Sequence, residues 1–530
     1  MLLTLETIGN WNPQLFRELK GRFNFRNVTI AASISILCQS LLVAIISAPS
    51  YTDTDSWEIN SQEWFNIFQS LNWILPIILV LGGAYMLIGD MAKEERRGTL
   101  NFIRLTPQPS QSVLIGKILG VPVLLYFAIA LALPLHLWTA TSAGVAFGFV
   151  LTIYLMVGAI CSFFYSGVLL STLLGASQPW AGAILSLLLA YPLLLLLNFF
   201  IAVLTENRDV LGDINLPLNW YYLPVGSNLG IACLFYLLSI CLGTCWIWQL
   251  LNRRFRNPNA TTISKSQSYL LVTCVNLWML GFGVIQTDSY LIEGIKYIFL
   301  FFLFFLLPCY FLILIAALLP HRQALQDWAR YRGERKNEKK GIKTIFSAFP
   351  VAVQDLILGE KSPALVAIAI NIAITAAIWI PWMLLLPEQN NSLFNTWEQY
   401  SKNQVILTFF LTANLILICA AIAQLTLLMK TRKPEIWAAT AVSAVIILPL
   451  VTMAALGFTF EKNPDWFLIS PLAAIAIQKA STTAIFLTIL GQWSVLALLS
   501  LQLTRQLRKI GESNSKSLLA VRPSLPASSN

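Results

Sequence analysis

The chain has 530 residues, of which 57% are hydrophobic and only 11% charged, with a mean hydropathy of +0.69. Soluble domains carry about 25% charged residues, so this composition excludes an ordinary soluble enzyme and describes a polytopic membrane protein. A net charge of +10 is found in nucleic-acid binders, but here its distribution follows membrane topology, and no nucleic-acid partner is expected.

A membrane-crossing helix needs about 20 apolar residues. Twelve stretches have that character, near 28–48, 70–89, 113–138, 145–172, 180–204, 228–250, 268–286, 295–319, 363–386, 405–429, 435–458 and 480–503. Unpaired backbone groups are not tolerated in lipid, so all twelve are expected to be helices. The first follows Arg17, Lys20, Arg22 and Arg26 and has no small-residue cleavage site, so it reads as a retained anchor. With the N-terminus in the cytoplasm, 30 of the 35 Lys and Arg residues fall on inner segments. The outer ones are Arg208, Lys296, Lys402, Lys462 and Lys479. This positive-inside bias fixes the orientation and puts both termini in the cytoplasm.

Between the second and third spans lies the densest charge of the first half, Asp90–Lys117. Asp90 to Leu105 predicts a helix with Leu100, Phe102 and Ile103 as an apolar stripe beside a charged face. Pro107 and Pro109 end it. Such helices dock into grooves of partner proteins through i, i+3 and i+4 contacts. The plainer reading is a charged inner loop that obeys topology. Further along, Asn219–Pro224 follows an outer loop and leads into the sixth span.

The eight cysteines all lie in apolar spans, without a Cys-x-x-Cys pair. Neither disulfides nor metal ligation is expected from them. Cys241 and Cys245 share a helix face as small contact residues. With only His136 and His321 present, a His-based metal or catalytic centre is excluded by count. His136 and Lys479 lie near the outer face and are read as structural. Gln39, Asn198, Asn276, Asn371, Asn414 and Gln424 fall inside spans, where polar residues bond neighbouring helices.

In the second half the inner loop 320–343 is strongly basic, through Arg330, Arg332, Arg335, Lys336, Lys339, Lys340 and Lys343, and also suits anionic lipid. Phe349, Val353 and Leu356 follow at helical spacing, and Asp355, Glu360 and Lys361 form a second, weaker candidate coupling set. Pro464–Ile469 leads into the last span as Asn219–Pro224 leads into the sixth. Six spans plus six in one orientation read as a parallel duplication, a recurrent transporter design. The tail from 511 is polar and expected to be disordered.

Several motifs are absent from the sequence. There is no Gly-x-x-x-x-Gly-Lys-Ser/Thr, so the chain cannot cradle a nucleotide phosphate. There is no His-Glu-x-x-His or Gly-x-Ser-x-Gly, and no span carries a central Asp or Glu of the kind used in proton or ion coupling. No catalytic residue, cofactor or metal is expected in this chain, and any energy source must lie outside it.

The run Glu94-Glu95-Arg96-Arg97-Gly98-Thr99-Leu100, then Leu105-Thr106-Pro107, then Gly116-Lys117, resembles the permeases of ABC-2-type ABC transporters. The order of elements over residues 1–256 is similar as well. The resemblance implies an all-α fold of about 12 transmembrane helices in two parallel six-helix units, 1–262 and 263–510, followed by a tail at 511–530. It implies an ATP-driven permease, an exporter, in a bacterial-type cytoplasmic membrane. Its partner is a separate cytoplasmic ATPase that binds the ATP and Mg and docks on Glu94, Glu95, Arg96, Arg97, Gly98, Thr99, Leu100 and Arg104. A homo-oligomer is compatible with it. The second half lacks the motif, so its coupling is expected to be weaker. The alternatives are a non-transporting scaffold or assembly factor with the same fold, and a secondary transporter, which lacks its usual carboxylates.

Overall fold

The computed structural model describes residues 9–48, 61–206, 219–226, 229–283, 306–331, 351–385 and 402–511. Among these the regular elements are helices, and the only strand-like pairing is an isolated bridge between Trp220 and Leu223. Ten helices are long and apolar enough to cross a membrane, and an eleventh span is completed if a bent pair counts as one. The chain is thus an integral, multi-pass membrane protein. The expected spans at 268–286 and 295–319 fall only partly within the described residues.

Contacts divide the chain into two compact units, 1–218 with 224–258, and 219–223 with 259–530. In the first unit, α1 (Pro13–Arg22) precedes the apolar α2 (Phe25–Ile46). Next come α3 (Ser61–Arg96) and the short α4 (Thr99–Arg104). The expected third span is two helices, α5 (Ser110–Gly120) and α6 (Val123–Ser142), separated at Val121 and Pro122. Three long helices follow, α7 (Phe147–Leu173), α8 (Pro179–Glu206) and α9 (Leu229–Arg256). At 1.5 Å per residue, the 36 residues of α3 measure about 54 Å, well beyond the roughly 30 Å of a hydrocarbon core. Its charged last turns therefore extend past the lipid. The core of this unit is built where α3, α7 and α8 meet, from residues such as Phe68, Ile88, Met156 and Leu169. By contrast, α2 turns Ile34, Leu37, Leu41 and Ile45 outward, which suits a lipid face.

One close approach there depends on a glycine. The Tyr165 hydroxyl donates to the Leu79 carbonyl at 2.6 Å, and a Cβ on Gly83 would stand 2.1 Å from that hydroxyl. Gly83 lets the α7 tyrosine lie against the α3 backbone.

The second unit holds α10 (Lys265–Leu280), α11 (Leu307–Leu318), α12 (Arg322–Tyr331), α13 (Val351–Leu358), α14 (Leu365–Leu385), α15 (Lys402–Leu427) and α16 (Pro434–Ala455). Two short turns, α17 (Pro464–Phe467) and α18 (Ala473–Ala476), precede the final α19 (Thr482–Gly511). The helices α11 and α12 meet at 63°. The lead-in at Pro464–Ile469 buries Phe467 and Leu468, and the stretch between it and α19 buries Ala474 and Ile477. Asp465 Oδ1 accepts from Ser481 N at 2.9 Å, capping α19. All eight cysteines are free.

Most polar residues inside the spans tie helices together. Asn276 donates to Thr375 at 3.2 Å and accepts from Trp379 Nε1 at 2.8 Å. Asn371 donates to Ser268, Gln424 accepts from Ala364 N, and Trp493 donates to Asn414. Gln39 bonds Ser35 on its own helix and reaches Leu131 O on α6. Among the described residues Asn198 bonds its own helix, at Leu194 O.

Candidate functional site

At the charged end of the first unit, α1 lies directly on α5. Pro13 starts α1, and the Asn12 side chain accepts from Leu15 N at 3.0 Å, satisfying a donor the helix leaves free. Asn12 Nδ2 then donates to the Ser112 carbonyl at 2.8 Å. Two glycines one helical turn apart permit the contact. A Cβ on Gly116 would sit 2.8 Å from Leu15 N, and one on Gly120 would sit 2.5 Å from Glu18 Cβ. The Gly116-Lys117 pair is thereby explained, with the glycine admitting α1 and the lysine reaching beneath it.

Lys117 is fully buried. Its Nζ lies 2.7 Å from Asp90 Oδ2, 2.9 Å from Glu94 Oε2 and 3.6 Å from Glu18 Oε1. Asp90 and Glu94 are one turn apart on α3 and so share a face. On the outer side Arg22 pairs with Asp90 at 2.5 Å and with Glu18 at 3.2 Å, and Arg17 pairs with Glu94 at 2.7 Å. Burial pulls the Arg17 pKa down, but its bonds and charge attraction to Glu18 and Glu94 outweigh that and leave it raised. Oxygens of the three carboxylates lie within 4.8 Å of one another, a spacing that would suit a cation. Lys117 supplies that cation, and three acids are balanced by three bases.

Glu94 of the expected coupling set is therefore turned inward and serves as an internal tie. After Arg96, α3 stops. Gly98 adopts φ +72°, the left-handed conformation that ends helices at low cost, so the helix expected over Asp90–Leu105 is two helices. Leu100 and Ile103 of α4 then face the core. Arg104, half-buried, stacks over the Phe255 ring at 5.6 Å and donates to Asn101 at 3.0 Å. Burial lowers its pKa, against an opposing pull from Glu95. What remains outward is Glu95, Arg96, Arg97, Gly98 and Thr99, together with Phe102 at 73% and Leu105 at 85% exposure. The stripe of Leu100, Phe102 and Ile103 is thus split, with its middle residue facing away from the protein.

In the second unit Asp355 accepts from Trp328 Nε1 of α12, while Glu360 and Lys361 are exposed. Phe349 and the cluster from Arg332 to Lys343 lie outside the described residues. Lys265, at the start of α10 ahead of its apolar run, is buried. It donates to Leu356 O at 2.7 Å, Ser362 Oγ at 2.6 Å and Pro363 O at 3.0 Å. Burial pushes its pKa down to about 8, with Asp355 pulling upward.

Glu18 and Lys265 were not singled out from sequence. One signal for Glu18 was present. It is an isolated acid in a basic N-terminal helix, spaced four residues before Arg22. Lys265 carried no such signal.

The chain matches no protein-family model, no curated protein and no solved structure.

Proposed function

We propose that this chain is the membrane permease of an ATP-driven ABC-2-type exporter, powered by a separate ATPase that docks from the cytoplasm on residues 95–105. The observation that carries the reading is the two-sidedness of this segment. Its inward side is fixed to the bundle by Leu100, Ile103 and the Glu94–Lys117 ion pair. Its outward side offers three charges and two exposed apolar side chains, Phe102 and Leu105. A partner's push at Phe102 meets α4, which packs against α3 through the buried Leu100 and Ile103, and tilting α3 displaces its packing partners α6, α7 and α8. Nucleotide state would then select between two arrangements of the spans.

Twelve spans in two parallel units complete the proposal. Within the first unit α2 packs on α6, and α7 packs on α3, α8 and α9. Within the second, α10 packs on α14, and α15 packs on α11, α16 and α19. With α5 and α6 counted as one span, these four pairings correspond, whereas the packing of α3 on α8 in the first unit has no counterpart between α11 and α16 among the described residues. Among the described side chains of 353–361 no apolar one is exposed, which supports weaker coupling there.

Purification of the tagged chain from its native membrane, followed by flux measurement in vesicles, tests the proposal. A copurifying P-loop ATPase and ATP-dependent flux are expected. A chain that purifies without an ATPase, or a complex without ATP-dependent flux, contradicts it, the latter in favour of a scaffold.

A further inference from the structure

Helix α1 runs beside α5 toward the lipid. Asn12 bonds the Ser112 carbonyl, Glu18 crosses at Gly120, and Phe23 then meets Phe127 of the span α6 edge-on at 5.8 Å. The depth of this end is marked by α3. No charged side chain stands between Glu63 and Asp90, so Asp90 is where α3 leaves the hydrocarbon, and Arg22 of α1 pairs with it. Three residues after Arg22 the span α2 begins at Phe25. The elbow from Lys20 to Arg26 therefore sits at the level of the lipid head groups, a layer about 5–7 Å thick on each side of the hydrocarbon.

Three side chains of this elbow point away from the protein. Lys20, Phe25 and Arg26 are exposed, Phe25 at 89%. Arg17 and Arg22 are committed to Glu94, Glu18 and Asp90. Among the described residues, by contrast, neither Lys20 nor Arg26 makes a hydrogen bond or ion pair through its side chain. Glu18 is the one acid in residues 10–26, and it is turned inward. The positive-inside bias explains which side of a membrane such cations occupy. It does not explain why two of them stand unpaired beside an exposed aromatic ring.

We propose that this elbow binds the head groups of anionic phospholipids through Lys20 and Arg26, with lipid tails covering Phe25. A guanidinium matches phosphate oxygens in bidentate fashion, and an ammonium adds a compact point charge. A soluble anion would satisfy the two cations and leave Phe25 bare. A zwitterionic lipid offers a phosphate whose charge its own ammonium offsets. Each cation near an anionic bilayer surface is worth about a fivefold preference. The site needs neither ATP nor an ATPase, so its failure and that of the transport reading are separable.

The test uses the full chain in phosphatidylcholine nanodiscs, without ATPase. The probes are phosphatidylglycerol and phosphatidylcholine, each carrying a diazirine on its tail next to the glycerol. Light-induced labelling of peptides covering residues 20–31 should favour phosphatidylglycerol by about 25-fold, the product of two fivefold preferences. Lys20→Gln and Arg26→Gln should each lower that ratio about fivefold, and together bring it close to one. The melting temperature should stay unchanged, because neither side chain makes a bond in the fold. Lys93→Gln removes another exposed cation, in the last turn of α3, and should leave the ratio as it was. Equal labelling by the two lipids, or phosphatidylglycerol labelling spread over all lipid-facing helices, would overturn the assignment. So would a ratio that persists in the folded double variant, or an equal loss in Lys93→Gln, which would make net charge and not this elbow the cause.

Discussion

Lys117→Met is the most informative single change to the charged end of the first unit. The substitution keeps the side chain's length and apolar stem but removes the charge that three carboxylates surround. Glu18, Asp90 and Glu94 then face one another within 4.8 Å. At an effective dielectric of 20, one such pair repels by about 3.5 kcal/mol. Arg17 and Arg22 offset part of this, although Arg17 is half exposed and an ion pair of that kind is worth no more than about 1 kcal/mol. Removing one partner of a buried ion pair costs roughly 3–5 kcal/mol, which agrees with the Coulomb figure. About 3 kcal/mol is a factor of roughly 160 in an opening equilibrium. Because Glu18 belongs to α1 and the other two acids to α3, the loss should appear as detachment of α1. Hydrogen exchange in nanodiscs measures it directly. The amides of residues 15–22 should exchange about two orders of magnitude faster in the variant, while α7 keeps its protection. Adding Asp90→Asn to Lys117→Met should recover part of that loss. Unchanged exchange in α1 would refute the claim that Lys117 holds it in place.

Three further outcomes follow from the same geometry. Gly83→Ala should lower the melting temperature more than Tyr165→Phe does, because its Cβ would collide with the Tyr165 hydroxyl at 2.1 Å and with its ring carbons at 2.4 and 2.6 Å; combined with Tyr165→Ala, which removes the ring, it should cost less than the two single losses added together, and additive losses would contradict the stated cause. The Lys265 pKa is about 8 in the folded protein against 10.5 ordinarily, so the unfolded chain holds the extra proton between those values and stability should rise with pH there, by about 3 kcal/mol in all. Denaturation from pH 7.5 to 10 should show this slope in the parent and not in Lys265→Met, and equal slopes would count against it. Reversing the charges of Glu95, Arg96 and Arg97 together should leave the melting temperature within about 0.5 kcal/mol equivalents, as exposed changes do, while uncoupling ATP hydrolysis from flux; unaltered coupling would argue against docking there.

Much of the architecture was legible because lipid imposes a simple rule. A helix must be apolar for about 20 residues, so segments such as Phe147–Leu173 and Lys402–Leu427 stand out by composition alone. Breaks were harder to see. The division at Val121-Pro122 sits within a continuously apolar stretch, and the turns at 464–480 are as hydrophobic as a span. The charged segment was legible as a location and not as a surface. Sequence spacing grouped Leu100, Phe102 and Ile103 into one stripe, but Gly98 resets the helix, so two of the three face the core. Glu94 looked equivalent to Glu95, yet only the structure places Lys117 beside it. That contact joins residues 23 positions apart, and α1 lies over it where Gly116 and Gly120 admit it, a tertiary fact without local periodicity.

The central claim is that a separate ATPase touches the outward side of residues 95–105. Replacing Phe102 with p-benzoylphenylalanine and irradiating native membranes tests it most directly, since Phe102 is 73% exposed and its loss disturbs no buried contact. The account predicts a crosslinked product containing a P-loop ATPase, lost when the same group replaces buried Ile103. A Phe102 crosslink confined to lipid, to this chain itself or to a protein without a P-loop would contradict it.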